Sequence, residues 1–112
     1  MFTVTAIIKA KKGHEGTMKE ALLDVATHVN LNEPETISFY ISQDLSNPCL
    51  FTTYERFGSE EAQKLHSSSE ALKIFFDIAL PILDGEVILA TSKEISAKVS
   101  PDRISSYGIG AK

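Results

Sequence analysis

The chain has 112 residues, 43% hydrophobic and 23% charged, with a formal charge of −4. That is enough for one domain with one core, and too little for two independent cores. The negative balance, with Lys9, Lys11 and Lys12 as the only basic cluster, argues against a nucleic-acid partner.

Phe2 to Ala10 alternates loosely and reads as a strand; it has neither the basic start nor the long apolar run of a secretion signal. KKGHEG then punctuates the chain. Thr17 and Glu20 have the spacing of a capping box, and Met18, Leu22, Val25 and Val29 recur at helical intervals, so residues 15–30 are expected to form an amphipathic helix. Asn32-Glu33-Pro34 ends it, because the residue before proline avoids helical geometry.

TISFYISQD alternates cleanly, with Ile37, Phe39 and Ile41 on one face. DLSNP is a turn signal, and LFTTYERF reads as the next strand, with Cys49 as a small apolar residue before it. Ser59 is placed to cap a helix running to His66. Ser67 and Glu70 form a second capping box, so a break at the serines and a new helix to Leu80 are expected, with Pro81 as terminator. After Asp84-Gly85 comes a last strand, Glu86 to Glu94. No run approaches the length of apolar chain needed to cross a bilayer, and a cytoplasmic location is expected.

The order strand, helix, strand, strand, helix, strand implies an α+β, ferredoxin-like βαββαβ domain over residues 1–94, with a four-stranded antiparallel sheet. Residues 95–112 then form a C-terminal arm or tail. Parity places Ile37, Phe39, Ile41, Phe51, Thr53, Glu55, Phe57, Val87 and Leu89 under the helices. The opposite face carries Thr3, Thr5, Ile7, Tyr40, Tyr54, Arg56 and Ile88, too apolar to be left in water. A homodimer packed sheet to sheet would cover it; the arm folded across its own sheet is the alternative.

Three pieces in order carry a family resemblance: EPETISFYISQD, FTTYERFGSEEAQKLHSS and ALPIL. With Glu33-Pro34, the run Tyr54-Glu55-Arg56-Phe57, and Ala62 four positions before His66, the chain resembles the antibiotic biosynthesis monooxygenase superfamily of dimeric α+β barrels. Glu35 stands where that family usually has glycine. The resemblance implies a small-molecule substrate and a homodimer. Its branches include monooxygenases that oxidise phenols or quinols with molecular oxygen and no flavin or metal, haem degraders, and an isomerase of a small phosphorylated metabolite. The haem-degrading pattern of an Asn, a Trp and a His falls here on Ala6, Phe57 and Phe76, which leaves no axial iron ligand.

Glu55, placed by parity beneath the helices, is a desolvated carboxylate suited to act as a base or as a structural ion-pair partner. His66, at the helix break, is a candidate acid or base, or else a residue bonding free helix carbonyls. His28, on the flank of the first helix, is a third candidate, or a half-buried boundary histidine. Phe39, Thr53, Phe57 and Phe76 are candidates to line an aromatic-accepting pocket, although core packing is the commoner use of such residues. The histidines lack metal-ligand spacing and no glycine-rich phosphate loop follows a strand, so neither metal nor cofactor is expected. The leading expectation is a cofactor-independent monooxygenase; the alternatives are an isomerase of a small polar metabolite and a non-catalytic small-molecule-binding dimer.

Overall fold

A computed structural model describes residues 1–100, so the part of the expected arm at 101–112 lies outside the described residues. The elements are β1 (Phe2–Lys9), α1 (Glu15–Asn32), β2 (Thr36–Gln43), β3 (Leu50–Phe57), α2 (Glu60–Ser67), α3 (Glu70–Ala79), a 3-10 turn (Leu80–Ile82) and β4 (Ile88–Lys93). The sheet is antiparallel throughout, in the order β2-β3-β1-β4, which is the expected ferredoxin-like arrangement. No helix among the described residues is long and apolar enough to cross a membrane.

Packing follows the apolar stripe of α1. Met18, Ala21, Leu22, Val25 and Val29 are buried against Ala6 and Ile8 of β1, Phe51 of β3, and Phe75 and Ala79 of α3. A smaller cluster of Val4, Phe57 and Ala62 closes the other end, under α2. Cys49 is buried at the edge of the main core and free.

Four local expectations are corrected. Helix α1 begins at Glu15, so Thr17 lies inside its first turn instead of capping it; Gly13 turns the chain with φ +91°, and its N–H donates to Glu15 Oε1 at 2.8 Å. Ser69, not Ser67, caps α3, accepting from the Leu72 N–H. Helix α3 stops at Ala79, and Pro81 sits within a 3-10 turn that extends it. Ile37 leaves the core face: the register passes from Thr36 opposite Phe57 to Ser38 opposite Arg56, so Ile37 is the extra residue of a bulge and is 51% exposed. The bulge keeps Phe39 facing the helices while turning Thr36 to that side as well.

The helices cover β1 and β3 but not β4, every residue of which is exposed, Leu89 on the helix side included. On the outer face Tyr40, Tyr54 and Ile88 remain exposed and Ile7 marginally so; Tyr40 and Tyr54 stack at 6.4 Å. Residues 96–100 border a groove there with Tyr40, Tyr54 and Arg56, without covering the face. Thr3, expected on that open face, is nevertheless buried, paired in register with Arg56 and Ser92. Arg56 makes a two-pronged contact to Glu94, Nε to Oε1 at 2.8 Å and Nη2 to Oε2 at 3.0 Å, tying the end of β4 across to β3.

Candidate functional site: a histidine between two carboxylates

Helix α2 is short and carries His66 in its last turn. Ser59 Oγ accepts the Ala62 N–H at its start, and Glu60 and Glu61 suit the positive end of the helix dipole. At its other end the serines satisfy carbonyls that the break leaves free. Ser67 and Ser68 hydroxyls donate to the Lys64 carbonyl, and Ser69 Oγ donates to the His66 carbonyl at 2.8 Å while capping α3. The backbone of His66 is thereby fixed, and its side chain is directed inward, 5% exposed.

The imidazole lies between Phe39 and Phe57, with ring centroids at 5.5 and 5.4 Å. Its Nδ1 is 2.8 Å from Glu33 Oε1, a hydrogen bond. Its Nε2 is 3.3 Å from Glu55 Oε1, an ionic contact too poorly aligned to count as a second hydrogen bond. Each carboxylate is fastened in turn. Thr53 Oγ1 donates to Glu55 Oε2 at 2.7 Å, along the same face of β3, and Thr36 Oγ1 donates to Glu33 Oε1 at 2.8 Å, across the turn between α1 and β2.

These contacts set the proton affinity of His66. Burial is the largest single influence and pushes its pKa down, but Glu55 and Glu33 together outweigh it, holding the value above the ordinary 6.5. A neutral imidazole has one N–H and one lone pair, so with a carboxylate at each nitrogen its lone pair must face an anion. The cation avoids that conflict.

His66 and Glu55 share the wall of a hollow of about 140 Å³ between helices and sheet. Its other walls are mostly apolar, with Ile8, Leu22, Val25, Leu72 and Phe75 among them, and among the described residues no lysine or arginine contributes. Phe39, Thr53 and Phe76 also line it. Phe57 does not: it is fully buried behind His66 as a packing residue, which corrects its expected place in the pocket wall. His28 is not in the wall either. Its Nε2 stands 3.0 Å from Glu33 Oε2, on the side of Glu33 away from His66, and Asn32 Nδ2 is 3.3 Å from its Nδ1. The contact to Oε2 is close without hydrogen-bond alignment, leaving that oxygen buried and unsatisfied.

Glu33 is the member of the site that sequence reasoning quoted as a motif but gave no role. The available signal was its position just past α1, before a proline and five residues after a histidine. Only the fold shows that it bridges two imidazoles.

The family profile described as Antibiotic biosynthesis monooxygenase matches residues 1–77. Among solved structures, a candidate antibiotic biosynthesis monooxygenase from Caulobacter crescentus CB15 superposes with a TM-score of 0.79 at 19% identity, covering 85% of this chain and 90% of that one. Another candidate of the same description from Deinococcus radiodurans gives 0.79 at 17% identity, covering 89% and 98%. A conserved protein from Methanosarcina mazei Go1 gives 0.77 at 21% identity, covering 84% and 92%. At such identities these likenesses establish the fold alone. No curated protein matches the chain. With the fold, the sheet order and a family match over more than half its length in agreement, the chain belongs to the antibiotic biosynthesis monooxygenase family.

Proposed function

We propose that this chain is a monooxygenase that oxidises a single-ring phenol or quinol with molecular oxygen, using its own residues and the electrons of the substrate. The observation that carries the reading is a histidine of raised proton affinity set in the wall of a small apolar hollow. The hollow's volume, about 140 Å³, is close to that of an apolar cavity of roughly 150 Å³ that takes up benzene. One aromatic ring fills it; a flavin ring system exceeds it.

His66 Nε2, engaged only loosely by Glu55, is the nitrogen left to accept a phenolic proton. Glu33 and Glu55 then stabilise the imidazolium that forms. The quinol anion transfers electrons to oxygen, and a bond forms between a ring carbon and the reduced oxygen. Loss of the proton on that carbon with cleavage of the O–O bond expels hydroxide, which takes back the proton held on His66 to become water, and leaves a hydroxyquinone. One quinol and one oxygen molecule thus give one hydroxyquinone and one water, and no external reductant is consumed. The apolar walls hold ring and oxygen together and exclude water.

Oxygen uptake in metal-stripped protein, with a panel of hydroquinones, catechols and other single-ring phenols under labelled oxygen, tests this. One labelled atom is expected in the organic product and the other in water. No uptake with any member of the panel would reject the activity. If ring compounds still bind but never turn over, and replacing His66 or Glu55 by an isostere changes nothing further, a binding dimer replaces the enzyme. An isomerase of a phosphorylated metabolite finds less support. Lys64 and Lys73 are engaged with Glu60 and Asp77, Arg56 is engaged with Glu94, and none of the three lines the hollow.

In this reading the working unit is a homodimer joined through the outer sheet face, where Tyr40, Tyr54 and Ile88 stand exposed. Sedimentation at micromolar concentration checks it: a dimer that dissociates when Tyr54 is replaced by Glu supports the assembly, and a monomeric parent chain rejects it.

A further inference from the structure

Glu33 connects the hollow to the outer groove through His66. Its Oε1 holds His66, which borders the hollow, while Glu33 itself lines the wide outer groove of about 960 Å³. His28, on the flank of α1, has 28% of its side chain exposed and Nε2 3.0 Å from Glu33 Oε2. The sequence of groups from hollow to water is therefore imidazole, carboxylate, imidazole, with successive separations of 2.8 and 3.0 Å.

The two oxygens of Glu33 are held unequally. Oε1 accepts from Thr36 Oγ1 and faces His66 Nδ1; Oε2 is buried, with no aligned partner. A static ion pair gains nothing from an unsatisfied buried oxygen, which destabilises the fold. An oxygen placed to receive or release a proton toward His28 does gain from that freedom. The proton acceptors facing His66 are Glu33 from the end of α1 and Glu55 from β3; Glu33 faces His28. Of the two carboxylates around His66, Glu33 is the one in contact with a partly exposed second group, His28, whereas Glu55 borders the hollow itself.

We propose that Glu33 and His28 are the proton outlet of the hollow. A proton taken up by His66 Nε2 is matched by release of the Nδ1 proton to Glu33, whose carboxyl group turns to hand it to His28, and His28 passes it to water. The balance closes over a turnover: one proton enters at Nε2 and one leaves at Nδ1 as the phenol ionises. When the O–O bond breaks, the Nε2 proton completes the water while His28 and Glu33 return one to Nδ1, so the starting tautomer is restored and no net proton is released. Glu33 and His28 act on the reaction through His66 and touch no substrate, so they are positioning and relay groups. The proposal rests on the reading of His66 as a base, yet it is testable without turnover.

The test replaces His28 by Gln, on a partly exposed helix flank where the fold survives, and separately Glu33 by Gln. The first readout is the exchange of the His66 ring N–H with water, followed by NMR in the full chain. A relay predicts slowing by about tenfold or more in both variants, within the range proton-transfer groups commonly supply. The second readout is quinol oxidation in dilute buffer. The His28→Gln variant should slow at unchanged KM and recover when imidazole is added, while the parent enzyme ignores the additive. Ring exchange at the parental rate in His28→Gln overturns the outlet whether or not any substrate is ever oxidised. Slowed exchange in a protein that oxidises nothing upholds the outlet and rejects the monooxygenase.

Discussion

Replacing Glu33 by Gln alters charge with little change of shape, and its effect on stability can be worked out from the contacts. The new amide oxygen still accepts from Thr36 Oγ1 and from the His66 Nδ1–H, so both hydrogen bonds of the parent keep a partner. What is lost is the charge behind both, and the part that varies with pH is the pairing with the protonated His66. A buried hydrogen bond to a charged group contributes roughly 1.5–3 kcal/mol, against about 1 kcal/mol for a neutral one. At the His66 bond the variant should therefore be less stable by roughly 0.5–2 kcal/mol while His66 is protonated.

The sign of the pH dependence follows from His66. Its pKa in the folded chain is raised above 6.5, so its pairing stabilises the fold fully below that value and fades as pH rises through the folded pKa. Urea unfolding at about pH 5.5 and about pH 8.5 should show the full difference at the lower pH and a smaller one at the higher. The slope against urea should be the same in both proteins, since the surface exposed on unfolding is unchanged. NMR titration of the His66 ring should place its midpoint lower in the variant. Equal destabilisation at both pH values, or a His66 midpoint that fails to fall, would refute the electrostatic account of the site.

Three further perturbations probe other contacts. Thr53→Val is nearly isosteric but removes the hydroxyl donated to Glu55 Oε2, leaving a buried oxygen unpaired, and should cost about 1–3 kcal/mol in denaturant unfolding. Phe39→Ala enlarges the hollow beside His66 and should let two-ring phenols bind that the parent excludes, at a stability loss of roughly 3 kcal/mol; calorimetric titration with one- and two-ring ligands reads the change. Arg56 holds the Glu94 carboxyl below its ordinary 4.5, so that pairing stabilises the fold above this value and is lost as pH falls through the depressed pKa. Glu94→Gln should flatten this part of the acid unfolding curve, and a curve identical to the parent's would show that the pair contributes nothing.

The fold was legible because its signals are local. Alternation in TISFYISQD and LFTTYERF, the helical spacing of Met18, Leu22, Val25 and Val29, and the punctuation at Pro34 and Asp84-Gly85 each act within a few residues. Where the reading failed, a nearby competitor satisfied the same need. Glu15 tied down the turn before α1 in place of Thr17, and Ser69 took the cap because it could also bond the His66 carbonyl. The bulge at Ile37 could not be foreseen from parity, since an extra residue in one strand is defined only by its partner. The site was half legible for the same reason. Parity on one strand brought Thr53 and Glu55 to the same face, but the partnership of Glu33 with His66 spans 33 positions and depends on how α1 and α2 meet at the edge of β2. Phe57 was misplaced because parity gives the face of the sheet and not which end of that face is hollow.

Two demands on His66 oppose each other, and the balance between them is measurable. Carboxylates at both nitrogens make the imidazole a stronger base by stabilising its cation, yet they also keep it protonated to higher pH, where it has no lone pair to offer. A base acts best when its pKa lies near the working pH, and the rise from 6.5 strengthens His66 as a base while shrinking the fraction of neutral form at a given pH. If His66 takes the phenolic proton, kcat/KM rises with pH along a single titration whose midpoint lies above 6.5. In Glu33→Gln the midpoint falls and the plateau falls with it, because a weaker base is neutral sooner but pulls less on the proton. If the imidazolium instead held a phenolate or a developing peroxide by its charge, the rate would fall with pH through the same midpoint. A rising limb that shifts down in the variant is the expected profile; a falling limb would make the cation the active form and remove His66 from the role of base.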